Sequence, residues 1–127
     1  MLAPVPAVAA PAVEGLWLTD DGSAVVRLAS CGRQMCGRIA RVLDADPSVP
    51  TTDANNPDPA RRGRPLIGMA ILSGFAPGRS AWDGGQAYDP KSGKSYNASL
   101  RLNPDGSLRV TGCVLFLCRS VRWTRSH

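Results

Sequence analysis

The sequence predicts an all-β protein, an antiparallel up-and-down meander of about eight strands closing into a barrel. Three observations lead there. Turn-forming residues recur at short intervals, the stretches between them have strand length, and several of those stretches alternate apolar with polar residues. The turns are marked by Asp20-Asp21-Gly22, Asp83-Gly84-Gly85, Pro90-Lys91-Ser92-Gly93 and Asn103-Pro104-Asp105-Gly106, whose residues tolerate positive φ or preset a turn.

In chain order the predicted strands are 15–18, 24–30, 36–43, 66–73, 80–83, 86–89, 95–102, 108–113 and 118–124. Alternation supports the later ones best. Tyr96, Ala98, Leu100 and Leu102 share one face, while Ser95, Asn97, Ser99 and Arg101 share the other. Leu108 and Val110 oppose Arg109 and Thr111, and Val121 and Trp123 oppose Ser120, Arg122 and Thr124. Period two with one polar face means antiparallel sheet. No segment shows helical periodicity.

The tract 44–65 breaks the regular spacing, with several prolines, Asn55-Asn56, a basic cluster and little apolar content except Val49. A loop this long is usually functional or disordered. A long meander must hide its edges, and closure does so completely. A barrel of ~8 strands has an interior that side chains fill or that holds one small ligand. A sandwich of two sheets is the alternative on the same strand signals.

At 127 residues and 43% hydrophobic, the chain fits one domain with a real core. We expect a barrel domain over 14–127, preceded by 1–13 as a leader remnant or flexible arm. That start is almost entirely Ala, Pro and Val; it lacks a positive n-region, but Ala7-Val8-Ala9 has the small-x-small form of a signal peptidase site. No apolar run is long enough to span a bilayer as a helix.

The net charge is +5, and thirteen of the fifteen cations are Arg, scattered singly along predicted strands. Only Arg61-Arg62-Gly63-Arg64 is dense, and a nucleic-acid module would want a longer basic stripe and a docking element. No nucleic-acid partner is expected; the plainer reading is solvated strand faces and one basic loop, with weak attraction to anionic envelope surfaces as the alternative.

Four cysteines form two matching pairs, Cys31-x4-Cys36 and Cys113-x4-Cys118. This spacing suits a bridge closing a tight hairpin, and the competing reading is a four-thiolate zinc site. Against zinc, the bracketed Val114-Leu115-Phe116-Leu117 is bulky and apolar. We therefore expect disulfides and no metal, although four cysteines alone allow three pairings. Two bridges imply an oxidising compartment, periplasmic or secreted.

Several strings together resemble a known group. They are Gly15-Leu16-Trp17, Cys36-Gly37-Arg38-Ile39, Asp53-Ala54-Asn55-Asn56-Pro57, Arg64-Pro65-Leu66-Ile67-Gly68, the run from Tyr88 to Tyr96, and Trp123-Thr124-Arg125. In this ordered set the chain resembles the bacterial exported family filed as domain of unknown function 2147. The resemblance implies a lipocalin-like (calycin) barrel and export to the periplasm, and it implies no activity. Gly-x-Trp on the first strand with an Arg on the last is also similar to lipocalin-type barrels, where the Trp plugs one end and the Arg packs across it. Here those residues are Trp17 and Arg125, a structural pair with a cation–π contact of ~1 kcal/mol.

Catalytic residues are not indicated. The single histidine is His127 at the chain end, so no Ser-His-Asp or Cys-His arrangement can be built. Nine of the ten acidic residues are Asp, mostly at turns or in the long loop, as turn chemistry demands. The glycines follow no phosphate-loop pattern. We expect a non-enzymatic protein with no cofactor.

Candidate ligand-binding residues are Trp82, Tyr88 and Tyr96, around one predicted hairpin, and Phe75 before it. For each of them the plainer reading is that it fills the core. Asp53 and Asn56, with Arg62 and Arg64, would make the long loop a polar lid, though Asp53 and Asn56 equally suit loop capping. Asp89 and Lys94 are expected to stabilise the turn between Tyr88 and Tyr96.

The leading expectation is a periplasmic carrier or sensor for a small hydrophobic ligand, acting as a monomer or weak dimer. The alternative is a protein-interaction module with a partner in the envelope, such as an exported inhibitor using the 1–13 arm, or an envelope-stress accessory protein. A structural envelope protein using its basic loop against anionic polymers is the third reading.

Overall fold

A computed structural model describes residues 13–43, 48–78 and 81–126. Eight antiparallel strands follow one another around a closed barrel in the order β1 to β8. They are β1 (Gly15–Leu18), β2 (Ala24–Cys31), β3 (Gln34–Val42), β4 (Ala70–Pro77), β5 (Trp82–Asp89), β6 (Lys94–Leu102), β7 (Leu108–Val114) and β8 (Leu117–Arg125). Pairing of β1 with β8, Trp17 opposite Arg125, shuts the cylinder and leaves no sheet edge. The sandwich alternative is excluded. The one helical piece among the described residues is a 3-10 turn, Pro59–Arg61, capped by the Asp58 carboxylate accepting from the Ala60 N–H (3.0 Å).

Most strand ends move by one or two residues, and two regions differ more from the sequence reading. The fourth strand begins at Ala70 rather than Leu66, because 66–69 form a turn in which the Met69 N–H donates to the Leu66 carbonyl. That strand then runs on to Pro77. Between Gly37↔Leu72 and Met35↔Phe75, two steps on β3 match three on β4, the signature of a bulge. The extra residue re-aims Phe75 into the barrel, where it is fully buried. Likewise 80–83 and 86–89 belong to one strand, β5. Asp83-Gly84-Gly85 is a bulge, not a turn, since three steps on β5 face two on β6 between Trp82↔Leu100 and Gly85↔Ala98.

These two bulges meet. A Cβ built at Gly85 would lie 2.4–2.6 Å from three ring atoms of Phe75, so only glycine lets the ring lie against that strand. Val13, Trp17, Leu28, Met35, Phe75, Leu100 and Leu108 fill this half of the barrel. Val13, assigned to the arm by the sequence reading, is thus part of the core; the rest of that segment lies outside the described residues.

Trp17 is fully buried, and its indole N–H donates to the Val13 carbonyl (2.8 Å). The Arg125 guanidinium carbon sits 4.1 Å from the Trp17 ring centroid, and Nη1 donates to the Glu14 carbonyl (2.6 Å). One barrel end is closed in this way. Arg122 instead pairs with Asp105 on the outside.

The cysteines form two bridges, Cys31–Cys36 and Cys113–Cys118, with Cα–Cα distances of 5.9 and 4.1 Å. All four thiols are consumed, which removes the zinc alternative. The first bridge clips the β2–β3 hairpin at the closed end, and the second clips β7–β8 at the other.

Candidate functional site

Odd-numbered connections gather at the end away from Trp17: the β1–β2 turn, the long β3–β4 loop, the β5–β6 turn and the β7–β8 hairpin. They surround the mouth of a cavity of about 750 Å³. Its depth is apolar, with Ile39, Leu72, Val110, Val121 and Trp123 pointing inward from four strands, β3, β4, β7 and β8. Period-two alternation put them there, since each shares its strand's buried face. The rim is polar and includes Asp21, Asn55, Lys91 and Arg119.

One wall of the mouth is the long loop, ordered by a buried carboxylate. Asp53 is 0% exposed and accepts from the Tyr88 hydroxyl and from Asn56 Nδ2, both at 2.7 Å. Arg64 Nη2 stands 3.9 Å from the same carboxylate. Around it the loop closes on itself, as Arg62 Nε donates to the Asn56 carbonyl (2.8 Å) and the Asp53 N–H to the Arg64 carbonyl (2.9 Å). Burial first, then the hydrogen bond and charge of Asp53, push the Tyr88 hydroxyl up to about 12.

The loop also grips the β5–β6 turn. Asn55 Nδ2 donates to the Pro90 carbonyl (3.2 Å) and the Lys91 carbonyl (3.0 Å). A Cβ at Gly93, whose φ is 72°, would fall 2.0 Å from the Asn55 carbonyl oxygen, so this docking needs glycine twice over.

A strap crosses the mouth. Lys91 on the β5–β6 turn pairs with Asp21 on the β1–β2 turn, and these turns lie on opposite sides of the ring. Partial burial opposes ionisation of Asp21. Hydrogen bonds from Lys91, Ser23 and Thr19 outweigh it and hold the carboxyl well below the usual carboxylate range. Asp89 accepts from the Lys91 N–H (3.0 Å) and the Ser92 hydroxyl (3.0 Å), fixing the turn from which Lys91 reaches out. Lys94 contributes its N–H to Ser92 Oγ (3.3 Å).

The four aromatics named from sequence do not form one cluster. Tyr88 and Tyr96 line the cavity. Phe75 belongs to the packed half, with Trp82 set against that core from the β4–β5 end. Asp53, Asn56, Arg62 and Arg64 do come together, as the framework of the loop.

Sequence reasoning missed Arg119 and the Asp21–Lys91 strap, and it placed Trp123 on an inward face without linking it to a cavity. It had no signal for the strap, which joins residues seventy apart in the chain. Trp123 is buried beside the cavity, and its indole N–H has no acceptor among the described residues. A buried donor left so is uncommon.

The β7–β8 hairpin forms the last part of the rim. Its two-residue turn is Leu115-Phe116, with Leu115 at φ 55°. Hairpin turns usually give such a position to Gly or Asn, and a left-handed Leu costs about 1 kcal/mol.

A closed eight-stranded barrel, plugged by a Trp–Arg pair at one end and hollow at the other, is a lipocalin-like fold. The family model described as "Uncharacterized protein conserved in bacteria (DUF2147)" matches residues 15–125, and the chain belongs to that family. Among solved structures, the fold is similar to protein HP1028 from the human pathogen Helicobacter pylori, described as belonging to the lipocalin family. The TM-score is 0.78 at 24% identity, covering 91% of this chain and 83% of that one. Among curated proteins, none matches this sequence.

Proposed function

We propose that this protein is an exported, non-enzymatic carrier or sensor that holds a small, largely apolar molecule in the mouth half of its barrel. The observation that carries this reading is the cavity itself. At about 750 Å³ it has the size of a small-molecule site, with apolar depth and a few polar groups at the rim. Trp123 supplies a specific handle, because a ligand acceptor would satisfy its idle N–H. Three carboxylates around the mouth have structural employment: Asp53 holds the loop, Asp21 the strap and Asp89 the turn. Two disulfides and the Ala/Pro-rich start support export to the periplasm or beyond.

Native mass spectrometry of protein purified from the periplasm without detergent tests this reading. The expected result is the oxidised chain carrying added mass that organic solvent releases. A bare chain that also takes up no apolar additive would refute it.

A further inference from the structure

Strand β8 carries three arginines, and two of them are tied into the fold. Arg122 faces outward and pairs with Asp105, while Arg125 covers Trp17 and donates to the Glu14 carbonyl. Arg119 is placed differently. It alternates in phase with Val121 and Trp123, so it stands on the inward face of β8 and lines the mouth of the cavity. Among the described residues it forms no ion pair.

Its neighbours leave room for a partner. Directly across the β7–β8 ladder lies Gly112, which has no side chain, and across the next ladder lies Ala98, which has only a methyl. A Cβ built at Gly112 would meet Tyr96 alone, at 3.5 Å. The other charges of the rim are engaged elsewhere or stand apart. Lys91 is held by Asp21, and Asp89 accepts from the Lys91 N–H and the Ser92 hydroxyl. Asp20 is exposed on the β1–β2 turn and makes no ion pair with Arg119.

An arginine remains protonated across the working pH range, and its planar fork of donors grips a carboxylate through two parallel hydrogen bonds. Beneath Arg119 the wall is apolar, with Val110, Val121 and Trp123 following in order of depth. From Arg119 to Trp123 is a descent of four residues along β8, about 13 Å. A neutral apolar occupant would fill that depth and leave the cation to water. We therefore propose that the molecule held in the barrel is an amphipathic monoanion, with its carboxylate on Arg119 at the mouth and its apolar body below. This rests on the carrier reading and adds a head group to it.

The test is calorimetric titration of the full oxidised chain with decanoate and with decanol at neutral pH. The two probes share one chain length and differ in head-group charge. Wild type is expected to bind decanoate about tenfold or more tightly than decanol, the difference a charge-assisted hydrogen bond supplies. Arg119→Gln should bring decanoate down to the affinity of decanol and leave decanol unchanged. Arg119→Lys should keep only part of the preference, because an ammonium cannot offer the bidentate fork. Arg122→Gln, on the outward face of the same strand, should change neither. Equal affinity for both probes in wild type overturns the head-group assignment and leaves the carrier reading standing. So does an Arg119→Gln protein that still prefers decanoate, or one that loses both probes alike. Uptake of neither probe by wild type overturns both readings.

Discussion

Replacing Asp53 by alanine would release the long loop from the barrel. Asp53 is fully buried and accepts two hydrogen bonds of 2.7 Å. Hydrogen bonds to a charged acceptor contribute about 1.5–3 kcal/mol each. Hydration regained by the half-buried Tyr88, and the relieved cost of burying a carboxylate, offset part of that. The expected net loss is about 2–4 kcal/mol, which lowers the urea midpoint by about 1–2 M in a protein of this size. Hydrogen exchange in 51–66 should quicken more than in β2 or β7, because the loop's own backbone bonds depend on the same anchor. A double-mutant cycle with Tyr88→Phe isolates the pair, with an expected coupling of about 1–2 kcal/mol. A loss below about 0.5 kcal/mol with additive single effects would refute the view that this carboxylate holds the wall of the mouth.

Other perturbations read other parts of the fold. Gly85→Ala drives a methyl into the Phe75 ring, and thermal unfolding should show a loss of about 1–3 kcal/mol. Arg125→Ala removes the cover of Trp17 and should cost about 1 kcal/mol, with Arg125→Lys restoring only part of it. Because Tyr88 titrates at about 12 rather than 10.0, its stabilising contribution is complete below pH 10 and fades as pH rises through 12. Tyr88→Phe should flatten that alkaline limb in urea titrations. The Asp21 strap has the opposite sign: its lowered carboxyl keeps it ionised at mildly acidic pH and loses it only well below pH 4.

The barrel was legible because its signals are local. Alternation in 95–102 and in 108–113 marks the inward faces of β6 and β7, and the paired cysteines mark two hairpins. The long loop was legible as a unit for the same reason, since its prolines and asparagines deny it any strand period. What escaped depends on bulges and on distant partners. The predicted fourth strand stops just before Gly74 and Gly84 sits in a predicted turn, yet at each place one extra residue enters a continuing strand and reverses which neighbours face inward. That is why Phe75 entered the core rather than the mouth. Asn55 and Gly93 meet only because the loop folds across the β5–β6 turn, which no period in the sequence reports. The apolar tip was visible as Val114-Leu115-Phe116-Leu117, and its exposure followed only once the strands on either side were paired.

The most direct measurement of the central claim is titration with an environment-sensitive apolar fluorophore, comparing wild type with Gly112→Phe. Gly112 borders the cavity, and a Cβ there meets Tyr96 at an ordinary 3.5 Å, so the new ring fills the hollow without straining the backbone. Saturable enhancement in wild type, lost in a Gly112→Phe protein that still unfolds cooperatively, is the predicted result. Equal enhancement in both proteins, or none in wild type, would contradict a ligand held in the mouth of this barrel.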